Sequence, residues 1–384
     1  MTNRRVVVTG TGAVSALGQN TEELWSALLA GKSGIRRLQR LVDAGLPITT
    51  GGEVTAIPYD TCNRDRKMAQ RAINEALKNS QFNLKTLGFI WSTGLDIFQE
   101  QNGNLILHRA GSCFSSLATQ FGKPNLMIAT ACASGTQAIG EAYWLIKKGR
   151  IDACIAGGSS VILTPFYVIG FSPLQVLSKD IEGDDPTKSC RPFDKRRRGF
   201  TLADGAGALL VESLQSAKRR NATILAEIIG FGVSQDAYDL NSPPNDGAGA
   251  CLCIKRTLED ASLKTTEIDA INAHGTGTLV GDRAEAAAIR STFGKTWTST
   301  PVSSIKGAIG HAMSSAGALE AIVALKTCST GIVPPTINLE VPDKECELDH
   351  VIGRYREADA ETVLSTSFGM GGQNCAIIFR RIFD

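Results

Sequence analysis

Short aliphatic runs bounded by glycine, threonine and serine alternate along this chain with stretches whose apolar residues recur at helical spacing. RRVVVTG at 4–10 predicts a buried strand ending in a glycine-rich turn, and Thr21 caps a helix whose Glu22 and Glu23 suit its dipole. Residues 33–62 read as irregular, 64–79 as a helix with a basic first turn, and the neighbourhood of Phe89 as a strand. Leu126, Met127 and Ile128 form the end of a second buried strand. The helix predicted over 134–148 puts Ala138, Ile139, Ala142, Leu145 and Ile146 on one face, and strands follow at 152–160 and 207–212. From 223 the rhythm starts over: strand at 223–234, helix at 251–261, strand at 268–273, helix at 284–293, strand near Val302, helix at 316–327, then terminal strands. Such alternation predicts an α/β fold of parallel-sheet character, duplicated as a first half over 1–221 and a second over 222–384.

Composition narrows the function. A formal net charge of +2 over 384 residues provides no basic stripe for nucleic acid, and no apolar run is long enough for a membrane span. The N-terminus reads as strand and turn and not as a signal peptide, so the expectation is a cytoplasmic protein whose ten cysteines are reduced. Cys251 and Cys253, without a second cysteine pair or a nearby histidine, read as core residues, and no metal site is expected.

Two nucleotide-binding patterns fail on spacing. After Gly10 and Gly12, Ser15 occupies the place of the third glycine of a dinucleotide fingerprint. Gly31, Lys32 and Ser33 imitate the tail of a phosphate loop, but Ser26 stands where that loop requires glycine.

The chemistry gathers elsewhere. IATACASG places Cys132 where an apolar run meets a helix start, and unpaired N–H groups and the helix dipole there favour a thiolate, so its pKa is expected to be lowered. INAHGTGT places His274 just past a strand, and SSIKGAIGHAMSSAGALE places Lys306, His311 and Glu320 in series. A thiolate needs a base or cation, and two imidazoles are suited to hold a carbonyl oxygen as charge develops on it. His108 and His350 lack such context and read as surface.

Together ATACASG, NAHGTGT, the Lys306, His311 and Glu320 series and the terminal SFGMGGQN resemble the elongating β-ketoacyl-(acyl carrier protein) synthases. RPFDKRRRGF, LADGAGALLVE, SPPNDGAGA and GDRAEAAAI extend the resemblance along nearly the whole chain. It implies a thiolase-like fold, two α/β halves layered αβαβα, that forms a homodimer or pairs with a chain-length-factor-like subunit. It implies that Cys132 takes an acyl chain from a carrier-protein thioester, and that malonyl carrier protein then loses CO₂ and attacks the acyl-cysteine. The product is a 3-oxoacyl thioester of fatty acid, polyketide or polyene elongation, and no metal or cofactor is needed.

By the same resemblance, His274 and His311 stabilise the enolate, and the backbone N–H groups of Cys132 and Met370 form an oxyanion hole. Thr276 and Thr278 bind the phosphopantetheine arm, Lys306 pairs with Glu320, and Phe368 lies in the terminal glycine-rich loop. Arg64, Arg66, Lys67 and Arg71, with the run 195–198, are candidates for docking an acidic carrier protein. Met370 departs from the phenylalanine usual at the gate, and the stretch 94–125 is shorter than in familiar fatty-acid members, which leaves acyl-chain length open. A thiolase acting on coenzyme A esters would need a second reactive cysteine in the terminal loop, where Phe368 and Met370 stand. A non-catalytic chain-length-factor subunit would lack Cys132.

Overall fold

The computed structural model describes residues 4–59, 63–94, 97–101, 104–181 and 183–382. Ten strands join in one sheet: β1 (Val6–Val14), β2 (Gly88–Thr93), β3 (Asn125–Ile128), β4 (Ala153–Ser160) and β5 (Gly205–Ser213) in the first half of the chain. The second half adds β6 (Ala226–Gln235), β7 (Ala270–Asn272), β8 (Val302–Ser303), β9 (Thr362–Phe368) and β10 (Gln373–Arg380). Their order is β3-β2-β4-β5-β1-β6-β10-β9-β7-β8. Read outward from the centre, each half therefore runs first, fifth, fourth, second, third, with β1 and β6 pairing antiparallel at the midline. The outer pairs β2–β3, β2–β4, β7–β8 and β7–β9 are parallel, while β1, β5, β6 and β10 pair antiparallel. Parallel character thus holds only toward the two edges.

The helices that position the site are α1 (Thr21–Leu29), α2 (Arg64–Ala76), α3 (Ser134–Lys147), α4 (Ala248–Ala261), α5 (Leu279–Phe293) and α6 (Ala316–Thr330). α2 packs on β1, β4 and β5; α3 and α6 touch strands of both halves and each other; α4 lies on β6 and β10 with α5 against it. This is a five-layer αβαβα arrangement, and the side chains alternate accordingly. On β5, Ala206, Ala208 and Leu210 face the α2 side while Leu209 and Val211 enter the central core. On β10, Cys375, Ile377 and Phe379 enter the central core while Ala376 and Ile378 pack toward α4 and α5. Strands buried on both faces read as continuous apolar runs, which is why the sequence signals them strongly.

Several expectations change. β1 does not stop at Gly10 but continues to Val14, and glycine is required within it because a Cβ at Gly10 or Gly12 would lie 2.0 Å from the carbonyl oxygen of Ala76 or Ala72. The glycines that mimic a dinucleotide motif serve close helix–sheet approach. Asn20, not Thr21, caps α1, its side chain accepting the Glu23 N–H at 2.8 Å. The stretch read as irregular contains a strand pair, Ile35–Arg37 with Thr50–Gly52. β3 is an edge strand, and Leu126 and Met127 are 36% and 47% exposed, not buried. His350 is buried, with its Nε2 2.8 Å from the Cys346 carbonyl oxygen, whereas the His108 side chain lies outside the described residues. Cys251 and Cys253 sit in α4 as core residues. Among the described residues, no helix is long and apolar enough to cross a membrane.

Candidate active site

The duplication builds the same elbow twice. β3 leads through a 3₁₀ turn, Ala131–Ala133, into α3, and a 3₁₀ turn at Met313–Ser315 leads into α6. The first residue of each turn is left-handed, Ala131 at φ 49° and Met313 at φ 47°, which is uncommon for a residue with a side chain. Ser134 holds the first elbow, its hydroxyl donating to the Ala131 carbonyl at 2.6 Å and accepting the Thr130 N–H at 2.7 Å. The two helices meet at glycine: a Cβ on Gly135 would lie 2.7 Å from Ala318 N, and one on Gly317 2.7 Å from Thr136 N. Close approach of the helices brings the elbows together, so that Cys132 Sγ lies 3.8 Å from Met313 Sδ.

Cys132 is 3% exposed, and burial pushes its thiol up to about 11. The Lys306 charge and the backbone N–H groups of Met370 and Cys132 act in the opposite direction without overcoming it. The lowered pKa expected of the elbow is thus overturned in the resting site: desolvation of a thiolate outweighs the polar groups aimed at it. The resting group is a thiol.

His274 stands two residues past the end of β7, and its loop is clamped from α5. Glu285 accepts the N–H groups of His274 at 2.8 Å and Gly275 at 2.7 Å, and the Thr366 hydroxyl at 2.8 Å. Burial raises the Glu285 carboxyl to about 7. The Lys306 ammonium, 1% exposed, lies 3.3 Å from His274 Nδ1, donates to the His274 carbonyl oxygen at 2.5 Å, and pairs with Glu320. Because an ammonium only donates, His274 Nδ1 is the acceptor and the ring proton sits on Nε2.

The second imidazole is fixed by its own backbone, the His311 N–H donating to the Thr201 carbonyl at 2.7 Å. Its ring meets His274 edge-on at 5.4 Å and Phe200 edge-on at 5.3 Å. Burial, then the Lys306 charge, hold both imidazoles well below the ordinary histidine pKa, and His311 adds to the effect at His274. Both rings are neutral N–H donors at neutral pH.

A cavity of about 290 Å³ is lined by Cys132, His274, His311, Thr276, Thr278, Phe368 and Met370, among others. Phe368 meets the His274 ring at 5.8 Å. The two threonine hydroxyls lie 3.0 Å apart on a loop held by Asp282, which accepts the N–H groups of Thr276 and Gly277, each at 3.0 Å. A buried thiol, two neutral imidazoles and converging backbone N–H groups are the parts of an acyl-transfer and enolate-stabilising site.

Comparison with known families agrees with that chemistry. The model described as beta-ketoacyl synthase, N-terminal domain, matches residues 3–88 and 90–217, and the C-terminal domain model matches 225–340. The chain belongs to the beta-ketoacyl synthase family. Among curated relatives, the 3-oxoacyl-(acyl-carrier-protein) synthase 2 of Coxiella burnetii is 37% identical, over 100% of both chains. That of Synechocystis sp. is 35% identical over 98% of each. Among solved structures, a chain of the AntDE:AntF complex, a type II PKS acyl-carrier protein with its ketosynthase bound to the hexaketide, superposes with a TM-score of 0.90. Its identity is 29%, with 99% of this chain and 100% of that one covered. The ishigamide ketosynthase/chain length factor superposes with a TM-score of 0.86 at 31% identity, covering 99% and 100%.

Within this beta-ketoacyl synthase the docking candidates separate. Arg66, Lys67 and Arg71 are exposed on α2, and none of them lines the cavity. Arg64 is not available for docking: it is buried, ion-paired to Asp204 at 3.0 Å and donating to the Val54 carbonyl at 2.8 Å. In the run 195–198, Arg197 is likewise buried, joined to Asp343 at 2.6 Å and donating to the Thr278 and Leu279 carbonyls. Phe200, Met313, Asp282 and Glu285 were not singled out by sequence reasoning. The last two carried a signal in GDRAEAAAI, two carboxylates three positions apart at the start of a helix just past the His274 loop.

Proposed function

We propose that this beta-ketoacyl synthase condenses an acyl-cysteine with malonyl-(acyl carrier protein), releasing CO₂ and giving a 3-oxoacyl thioester in fatty acid, polyketide or polyene elongation. The observation that carries the reading is the placement of Cys132 with two neutral imidazoles edge-on to one another at 5.4 Å around one cavity. In the first half-reaction, Cys132 Sγ attacks the carrier thioester. Its S–H proton goes to the departing pantetheine sulfur, and the tetrahedral oxyanion is held by the N–H groups of Cys132 and Met370. In the second, the malonyl thioester oxygen accepts from the His274 and His311 N–H groups while the C–C bond to the carboxylate breaks. The enolate carbon attacks the acyl-cysteine, the C–S bond breaks, and the cysteine thiolate leaves and takes one proton from solvent. Every developing charge meets an N–H donor, so the scheme calls for no metal or redox cofactor. Thr276 and Thr278 are assigned to the amides of the pantetheine arm.

The exposed apolar edge of β3 favours assembly with a second chain of this fold, a copy of itself or a chain-length-factor-like relative, since an unpaired apolar edge strand is a liability in a monomer. Intact-protein mass spectrometry after incubation with acyl-carrier protein tests the reaction. An acyl adduct lost in Cys132→Ala supports it, and an adduct on another residue sinks it. The same assay across acyl groups of different length and unsaturation reads out the chain preference.

A further inference from the structure

Among the described residues that line the cavity, Arg198 supplies the one lysine or arginine cation. The cavity has a gradient of exposure. Cys132, His274 and His311 are 3%, 7% and 1% exposed, whereas the Arg198 side chain is 31% exposed, on the outer part of the lining, where the wall also borders the shallow groove that holds Asp184. Its Nη2 donates to Asp184 Oδ2 at 2.7 Å, and Asp184 is itself 44% exposed at the side chain. Among the described residues that is the one hydrogen bond its guanidinium makes, and most of its five donors have no partner there. Arg198 is also tied to the chemistry by the backbone. The next residue, Gly199, donates its N–H to the Gly277 carbonyl at 2.9 Å, between Thr276 and Thr278, and Phe200 carries the ring against His311.

We infer that Arg198 is a specificity-determining residue that receives the phosphate at the far end of the carrier arm while the thioester lies against Cys132. The inference rests on the carrier-thioester reading above. An arm that enters thioester first leaves its phosphate on the outer part of the lining, where this guanidinium stands. A guanidinium fork matches phosphate oxygens in two parallel hydrogen bonds, and a partly exposed carboxylate such as Asp184 is a partner that an incoming phosphate displaces. Asp184 thereby holds the fork at the wall in the empty site and competes with the arm for it.

The test compares two small probes, malonyl-phosphopantetheine and malonyl-pantetheine, which differ only in the phosphate. CO₂ release is measured for the parent, Arg198→Gln and Asp184→Asn proteins. In the parent, the phosphorylated probe has the lower KM, by about tenfold for a charge-assisted pair at a half-buried site. Arg198→Gln collapses that ratio toward one, acting on KM for the phosphorylated probe, and Asp184→Asn widens it by freeing the fork. Because malonyl is common to both probes, a contact between Arg198 and the malonyl carboxylate raises both KM values together and overturns the assignment. A ratio unchanged in Arg198→Gln overturns it as well, with the condensation reading left standing. If the parent releases CO₂ from neither probe nor from malonyl carrier protein, the reaction itself is wrong and the inference falls with it.

Discussion

Lys306 Nζ stands 3.3 Å from His274 Nδ1 and donates to the carbonyl oxygen of the same residue at 2.5 Å, so one buried ammonium sets both the tautomer and the position of that imidazole. Its own charge is balanced by Glu320, which also accepts from Ser367 at 3.4 Å. Lys306→Met is expected to lower malonyl decarboxylation by about a hundredfold, the scale of losing one preorganised donor. Acyl transfer to Cys132 should persist, seen by intact mass. The single variant leaves the buried Glu320 carboxyl without its cation, costing about 3–5 kcal/mol, while Lys306→Met with Glu320→Met regains stability without regaining decarboxylation. Recovery of both in the double variant would contradict the role given to Lys306.

The neutral imidazoles fix the sign of a pH effect. An unfolded chain takes up a proton on each histidine near pH 6.5, and the folded protein refuses it, so stability falls as pH drops below about 6.5, by about 1.4 kcal/mol per unit per group. Glu285 acts in the opposite sense. Its carboxyl is raised from 4.5 to about 7, so its contribution is present below 4.5 and lost as pH rises through 7. Thermal melts between pH 4.5 and 8 should therefore show a shallower acid limb in His311→Asn and a steeper one in Glu285→Gln. Matching slopes in all three proteins would remove the argument.

With its thiol raised to about 11, Cys132 should alkylate slowly at neutral pH, and the rate should climb about tenfold per pH unit through pH 9 with no plateau. Lys306→Met, which removes the cation opposing that rise, should slow it further. Mass spectrometry of iodoacetamide-treated protein, resolved by site, gives the rates. A plateau below pH 8 would mean a thiolate already stabilised in the resting site.

Charge reversal on α2 separates docking from structure. Lys67→Glu with Arg71→Glu should raise KM for carrier-bound substrate, with a weaker effect at higher salt, while a small thioester responds much less. Arg64→Glu, in contrast, places a carboxylate beside the buried Asp204 and should lower the melting temperature. Equal losses with carrier-bound and small thioesters in the first variant would remove α2 from the docking surface.

The layered fold was legible because strands such as β5 and β10 feed apolar side chains to both faces, leaving unbroken aliphatic runs in the sequence. The edge of β3 was not, since Leu126 and Met127 are as apolar as any core pair and composition carries no mark of which strand ends the sheet. The TGTG run was misjudged for a related reason. Glycine signals that backbone must approach something closely, and only the position of α2 reveals that the partner is a helix carbonyl and not a turn or a phosphate. At the site, Cys132, His274 and His311 stood out as reactive types in loops past strands. The direction of the cysteine pKa did not, because it depends on how much water the assembled halves exclude.

Gly135 and Gly317 make the central helices a ruler. The sulfur rides on one helix start and the neighbouring elbow on the other, so the separation between nucleophile and charge-stabilising loop is set by how closely two backbones lie where neither has a side chain. A methyl group at either position would act as a shim between the halves, altering the distance across which carbon–carbon bond formation takes place while leaving every reactive group chemically intact.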